Sequence, residues 1–192
     1  MLRSMPDEAR LEQVGNGLVP TSDGWYVLNA RDAAWATRET FGARCSFAGD
    51  GANLRGHEVD FEPWSFPQVG INLMIVPPRC RSTLYHAETE QEDFLVLRGS
   101  CLALVEEQER RLREWDLLHC PPGTRHALVN DGDEPLVVLM VGARNRDGGI
   151  VYPASELAQR HGAGVDTETD DPHEAYAPYD HWRNEEGRRP PL

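Results

Sequence analysis

Residues 85–99 read YHAETEQEDFLVLRG, a stretch that joins imidazole and carboxylate side chains to an apolar run typical of a β-strand. Side chains two residues apart in a strand point to the same face, so we expect His86 and Glu88 to point the same way. A further carboxylate, Glu92, follows after a short bend. We interpret this stretch as one half of a metal-binding pocket.

Residues 121–130, PPGTRHALVN, are the predicted second half, and they follow after one intervening hairpin. If His126 arrives from a strand on the far side of a barrel, the group contains two imidazoles and one or two carboxylates. This mixture of donors suits Fe, Mn, Ni, Co or Zn. Two histidines and one glutamate on one side of an ion leave positions open for a substrate or dioxygen.

Composition places the 192-residue chain among globular domains, with 40% hydrophobic and 27% charged residues. The formal net charge of -13 argues against nucleic acid or an anionic membrane surface as the partner, because basic side chains hold both. A small molecule or another protein is the expected partner. Every basic residue is Arg, which removes lysine-based Schiff-base chemistry from consideration.

The N-terminus lacks the apolar core of a signal peptide, and no window has the apolar length of a membrane span. We therefore expect a cytoplasmic protein. The four cysteines form no CxxC pair, so neither a zinc ribbon nor a redox motif is indicated, and free thiols are expected. They are Cys45, Cys80, Cys101 and Cys120.

Short apolar runs separated by turn residues continue from residue 71 to residue 141. Such a pattern favours an antiparallel barrel or sandwich over an α/β domain. The predicted strands are 71–76, 82–86, 93–98, 101–105, 110–113, 116–120, 126–130 and 136–141.

Three regions are expected along the chain: a flexible arm over 1–24, a barrel over 25–152, and a C-terminal helix with an acidic tail over 153–192. Near the start of the barrel region, a short strand is predicted at 25–28 and a short helix from Asn29 to Trp35.

In the C-terminal region, Ser155 and Gly162 have the residue types that begin and end a helix. The aromatics Tyr176, Tyr179 and Trp182 could anchor the tail on a surface or across a dimer, and a largely disordered tail is the alternative.

Two motifs in the chain resemble those of the cupins, G-x5-H-x-H-x3/4-E-x6-G and G-x5-P-x-G-x2-H-x3-N. The first is matched by His86, Glu92 and Gly99. The second is matched from its proline onward by Pro121, Gly123, His126 and Asn130. The resemblance covers residues 71–141 and implies an all-β jelly-roll barrel, a metal held by the motif residues, and a tendency to form a homodimer.

The chain departs from these motifs at three positions. Cys80 and Trp115 stand where each motif opens with glycine, and such turn residues are replaceable. Glu88 stands where the family has its second histidine. It could be a metal ligand, a general base beside an open site, or the sign of a metal site that has decayed.

Three further residues are predicted to line the pocket, namely Tyr85, Cys120 and Arg125. The leading functional hypothesis is a metal-dependent enzyme on a small organic substrate, with oxygenase-like chemistry favoured over sugar or sugar-phosphate isomerase chemistry. The alternative is a non-catalytic barrel that binds or senses a small ligand. A structural dimerisation domain is a third possibility.

Overall fold

The computed structural model describes residues 7–47, 66–145, 147–184 and 190. Thirteen strands lie in this part of the chain: β1 (Leu11–Val14), β2 (Gly17–Pro20), β3 (Ala36–Arg38), β4 (Gly42–Ser46), β5 (Val69–Val76), β6 (Ala87–Glu88), β7 (Glu92–Arg98), β8 (Ser100–Val105), β9 (Gln108–Arg113), β10 (Leu117–Cys120), β11 (His126–Val129), β12 (Leu136–Ala143) and β13 (Ile150–Val151). The two helices described are α1 (Glu156–Arg160) and α2 (Pro172–Tyr176).

Two sheets face each other around one apolar core. The larger sheet has the strand order β10-β7-β12-β5-β4-β3, and the smaller has the order β11-β8-β9, with antiparallel neighbours throughout. The core joins Phe94 and Val138 of the larger sheet to Ala103 and Leu128 of the smaller one. This arrangement confirms the predicted all-β, jelly-roll fold.

Most strands of the barrel lie where the apolar runs predict them. The exception is the run 82–86, because the regular strand β6 begins only at Ala87. The preceding residues lie alongside β11 through isolated bridges, Arg81 with Val129 and His86 with His126. The predicted strand is therefore displaced, and His126 lies on the neighbouring segment and not on the far side of the barrel as expected.

No helix forms between Asn29 and Trp35, so that prediction is wrong. The side-chain oxygen of Asn29 accepts a hydrogen bond from the Arg31 N–H (2.9 Å). The backbone carbonyl of Asn29 accepts one from the Asp32 N–H (2.9 Å), and together these bonds form a turn. The chain then extends because the Trp35 ring is buried and its backbone N–H donates to Asn16 (2.9 Å). Tertiary contacts here override the local capping pattern.

The expected strand at 25–28 is also absent, since Trp25 forms only an isolated bridge with Glu8. Upstream, within the predicted arm, β1 and β2 form an antiparallel hairpin. The side chain of Asn16, in the turn of this hairpin, forms hydrogen bonds with the backbone of Trp35 on the barrel. The division into arm, barrel and tail stays a prediction.

The C-terminal helix is confirmed, with Ser155 capping α1 by accepting from the Ala158 N–H (3.1 Å). The tail aromatics pack around Phe41 of the barrel, at ring-centroid distances of 5.4 Å for Tyr176, 5.2 Å for Tyr179 and 6.5 Å for Trp182. Across the described ranges, no helix is long and apolar enough to cross a membrane.

Candidate metal centre

Three side chains from the two predicted motifs meet inside the barrel. The ligand atoms of His86, Glu92 and His126 all lie within 4.8 Å of one another. Oε2 of Glu92 is 3.6 Å from Nε2 of His86 and 3.0 Å from Nε2 of His126. The two imidazoles are buried, and the glutamate side chain is 15% exposed.

Backbone pairing brings the two histidines together. The His86 N–H donates to the His126 carbonyl (3.1 Å), and the His126 N–H donates to the His86 carbonyl (2.8 Å). Directly paired residues of antiparallel chains carry neighbouring side chains, and the two ring centroids lie 4.7 Å apart. Glu92 arrives from the other sheet as the first residue of β7.

Two backbone carbonyls orient the imidazoles. Nδ1 of His86 lies 2.6 Å from the Leu84 carbonyl, and Nδ1 of His126 lies 2.9 Å from the Thr124 carbonyl. A carbonyl oxygen only accepts hydrogen bonds, so Nδ1 is the donor in both rings. Nε2 of each ring is thereby directed at the carboxylate, the arrangement that holds metal-ligating histidines in place.

The donor set fits a bound cation. Among the described residues, Oε2 of Glu92 and Nε2 of His126 are buried without a hydrogen-bond partner, since their 3.0 Å approach is not aligned for one. Buried polar atoms without partners are rare and need an explanation. Two imidazoles and one carboxylate are the donors of many divalent transition-metal sites, so an ion would satisfy both atoms.

Electrostatics in the metal-free group favours an ion pair. Burial alone would raise the pKa of Glu92, but the two histidines outweigh burial and lower this pKa to about 2. Burial alone would lower the pKa of His126, but contacts with Cys120 and Glu92 raise this pKa to about 10. At neutral pH the group therefore holds a carboxylate and a protonated His126.

Glu88 lies at the edge of the group. Its Oε1 is 3.9 Å from Nε2 of His86, and its side chain is 34% exposed. Burial and the neighbouring charge of Glu92 raise the pKa of this carboxyl. Glu88 thus faces the same side as His86, and its roles as ligand or base stay predictions.

The structure places neither Tyr85 nor Arg125 at the group, contrary to the pocket-lining role predicted for them. Tyr85 is fully buried beneath α1, and its hydroxyl accepts from the Glu107 N–H (3.1 Å). Arg125 forms an ion pair with Glu106 (2.5 Å) at the surface. Both precede a histidine of the group, and adjacent residues of an extended chain face opposite sides.

Cys120 is buried in the apolar core beside His126, and its predicted role in lining the pocket stays a prediction. Two aromatic residues near the group were missed. The ring centroid of Tyr152 lies 5.7 Å from that of His86, and Phe94 lies 4.9 Å from His126. Tyr152 follows the barrel strands in sequence and belongs to neither motif, so no local pattern marks it.

The family model described as "Cupin domain" matches residues 72–142, the segment that carries the group. The chain therefore contains a segment that is similar to the cupin domain family. An uncharacterized protein of Methanocaldococcus jannaschii is 29% identical over 65 residues, which are 34% of this chain and 52% of that protein. The chain thus spans about half the length of this curated relative.

Two solved structures also align with the chain. A sugar phosphate isomerase from a cupin superfamily, of Silicibacter pomeroyi, is 30% identical with a TM-score of 0.42, over 44% of this chain and 56% of that one. A salicylate 1,2-dioxygenase of Pseudaminobacter salicylatoxidans is 22% identical with a TM-score of 0.37, over 40% of this chain and 22% of that one. At these TM-scores, neither likeness transfers a substrate to this chain.

Proposed function

We propose that the chain binds a divalent transition metal through His86, Glu92 and His126 and is a metal-dependent enzyme acting on a small organic substrate. The convergence of two buried Nε2 atoms on one carboxylate oxygen carries this proposal. Because carbonyls hold the Nδ1 atoms, the donors are oriented before any ion arrives. Such preorganisation lowers the cost of binding.

A bound ion would supply Lewis-acid or dioxygen chemistry at its open positions. The chain's own residues prepare the surroundings. Burial excludes water from the two histidines, and the raised pKa of Glu88 suits this carboxyl to accept and return a proton at its Oε atoms. Tyr152 supplies a buried phenol near His86, and burial raises its pKa so that it stays neutral.

Oxygenase-like chemistry ranks ahead of phosphosugar isomerisation. Two histidines and one carboxylate are the ligand set of non-haem Fe(II) oxygenases. A phosphosugar would require cations at the pocket. Two arginines in and beside the barrel motifs are instead paired at the surface, Arg79 with Asp133 and Arg125 with Glu106.

Fe(II)-loaded protein, prepared without oxygen, should change its visible absorption spectrum on addition of nitric oxide. An unchanged spectrum would contradict the oxygenase assignment.

Metal content tests the proposal directly. Protein purified without chelating resin should contain close to one equivalent of a transition metal by elemental analysis. His86→Ala and His126→Ala should lose it while keeping the circular dichroism spectrum of the folded protein. His119→Ala is the matched control, because His119 is an exposed histidine paired with Asp93 (2.7 Å). Wild-type protein that takes up no metal under any loading condition would overturn the proposal.

A non-catalytic ligand-binding barrel is the second candidate. It is favoured by one observation, that Glu88 lies 3.9 Å from His86 and outside the close group. A protein that binds metal and small organic acids without turning them over would support it.

Assembly as a homodimer and placement in the cytoplasm remain proposals. Light scattering after size-exclusion chromatography tests whether the protein is a homodimer.

A further inference from the structure

Two arginines share one aromatic surface where the C-terminal segment packs on the barrel. The guanidinium carbons of Arg38 and Arg81 lie 4.7 Å and 5.1 Å from the ring centroid of Phe41. They also lie 5.9 Å and 4.9 Å from the ring of Tyr179. Both guanidinium groups therefore lie against the same two rings, and neither belongs to the metal group.

Neither charge is well compensated. The Arg38 side chain is 6% exposed, and its ion-pair partner Asp180 has Oδ1 3.9 Å from Nε, too far for a hydrogen bond. Within the described ranges, Arg81 has no carboxylate at ion-pair distance, and the buried Nε atoms of both arginines have no hydrogen-bond partner. A buried cation usually has a hydrogen-bonded anion beside it.

The aromatic contacts leave most of the hydrogen-bonding capacity of these arginines unused, although Nη2 of Arg38 donates a long hydrogen bond to the Tyr176 carbonyl (3.5 Å). A ring that stacks on a guanidinium contacts its flat face, whereas its N–H groups point outward in its plane. The rings of Phe41, Tyr176 and Tyr179 thus fix the guanidinium groups without occupying the donors. Planar forks of this kind bind carboxylate and phosphate oxygens in pairs.

We propose that Arg38 and Arg81 form a binding site for an oxyanion, the phosphate or carboxylate group of a small molecule. Asp180 is the resident carboxylate that the ligand displaces, and its side chain is 35% exposed. The site is separate from the metal group. The guanidinium carbon of Arg38 lies 4.8 Å from the ring centroid of Tyr176. The ring centroid of Tyr152 lies 5.7 Å from that of Tyr176 and 5.7 Å from that of His86, so two tyrosine rings lie between Arg38 and the metal group.

The probes are inorganic phosphate and acetate, each added to the full-length protein against sodium chloride of equal ionic strength. The chloride reference is required because the net charge of -13 makes the protein sensitive to general salt screening. Calorimetry and thermal unfolding should show saturable binding of at least one of the two anions. The anion that binds identifies the ligand group as phosphate or carboxylate.

Two substitutions should shift the affinity in opposite directions. Arg81→Gln should weaken binding about tenfold or more, through loss of charge-assisted hydrogen bonds. Asp180→Asn should strengthen binding, because it removes the competing carboxylate. Arg79→Gln is the matched control and should leave the affinity unchanged, since Arg79 is exposed and paired with Asp133. Binding should also persist in His126→Ala, which lacks a metal ligand.

Arg81→Gln and Asp180→Asn should change the affinity in opposite directions. The proposal can therefore be tested even if the variant at the buried arginine, Arg38→Gln, does not fold. It is overturned if neither anion binds more tightly than chloride, or if Arg81→Gln and Arg79→Gln have the same effect. It is also overturned if Asp180→Asn weakens binding or leaves it unchanged, or if His126→Ala abolishes binding.

Discussion

Oε2 of Glu92 and Nε2 of His126 lie 3.0 Å apart in the interior of the barrel, and neither has a hydrogen-bond partner among the residues described. Glu92 comes from the larger sheet and His126 from the smaller one. The pair therefore joins the two sheets at the point where the candidate metal ligands converge. Five testable predictions concern this centre and the packing elsewhere in the protein.

Metal uptake should release a proton. The pKa of His126 is raised to about 10 in the metal-free protein, so Nε2 carries a proton at pH 8 that a metal must displace. We expect release of close to one proton at pH 8, and less as the pH rises through about 10. Calorimetric titration with a divalent metal in two buffers of different ionisation enthalpy measures this number. Equal heats in both buffers at pH 8 would contradict the raised pKa.

The same shift makes the stability of the metal-free protein depend on pH. A folded-state pKa raised from 6.5 to about 10 adds stability that is complete below about pH 6.5 and is lost as the pH rises through about 10. Denaturant unfolding of chelator-treated protein between pH 6 and 10 should show this loss. It should be smaller in His126→Gln, which has no titrating group at this position.

Glu92→Gln and Glu88→Gln separate the two carboxylates. Glu92 is within the close group and Glu88 is 3.9 Å from His86, so the first substitution should abolish tight metal binding and the second should leave it nearly intact. If Glu88 acts as a base, Glu88→Gln should lower turnover while the metal content is kept. Metal loss of equal size in both variants would make Glu88 a ligand instead.

The thiols should differ in their reactivity. Cys45 and Cys101 are fully buried, and burial raises the pKa of each to about 12, so both should resist alkylation in the native state. Cys80 is partly exposed and should be alkylated first. Mass spectrometry of protein treated with iodoacetamide at pH 8 identifies the order. Early labelling of Cys45 or Cys101 would contradict their placement in the core.

The hydrogen bonds between the β1–β2 hairpin and the barrel should contribute to stability. Asn16 is buried, and its side chain makes hydrogen bonds with both the N–H and the carbonyl of Trp35, each at 2.9 Å. Asn16→Ala should lower the free energy of unfolding by about 1–3 kcal/mol, because two buried backbone groups lose a partner. Gln13→Ala is the control, since Gln13 is exposed and bonds only within its own turn. Urea unfolding of the two variants provides the comparison, and equal midpoints would contradict a stabilising role for Asn16.

Much of the fold and the ligand triad could be predicted from local spacing. Strand alternation and turn residues are short-range properties, and the apolar runs between residues 71 and 141 correspond to β5 and β7–β12. The intervals from His86 to Glu92 and from Pro121 to Asn130, together with the cupin resemblance, selected His86, Glu92 and His126, but they also selected Glu88, which lies outside the close group. Local signals failed where a buried side chain overrode them, as at Trp35, which extends a segment with a helix-capping pattern.

Only tertiary packing decided which neighbours of the histidines face the candidate metal group and which face away. Tyr85 and Arg125 precede His86 and His126, and the opposed faces of an extended chain turn them outward. Tyr152 reaches His86 from beyond the motifs, and Tyr176 stacks under Arg38 although 138 residues separate the two. Such contacts depend on how distant segments close around the core. The spacing of residues along the chain therefore indicates the candidate ligands, whereas packing between distant segments determines their surroundings.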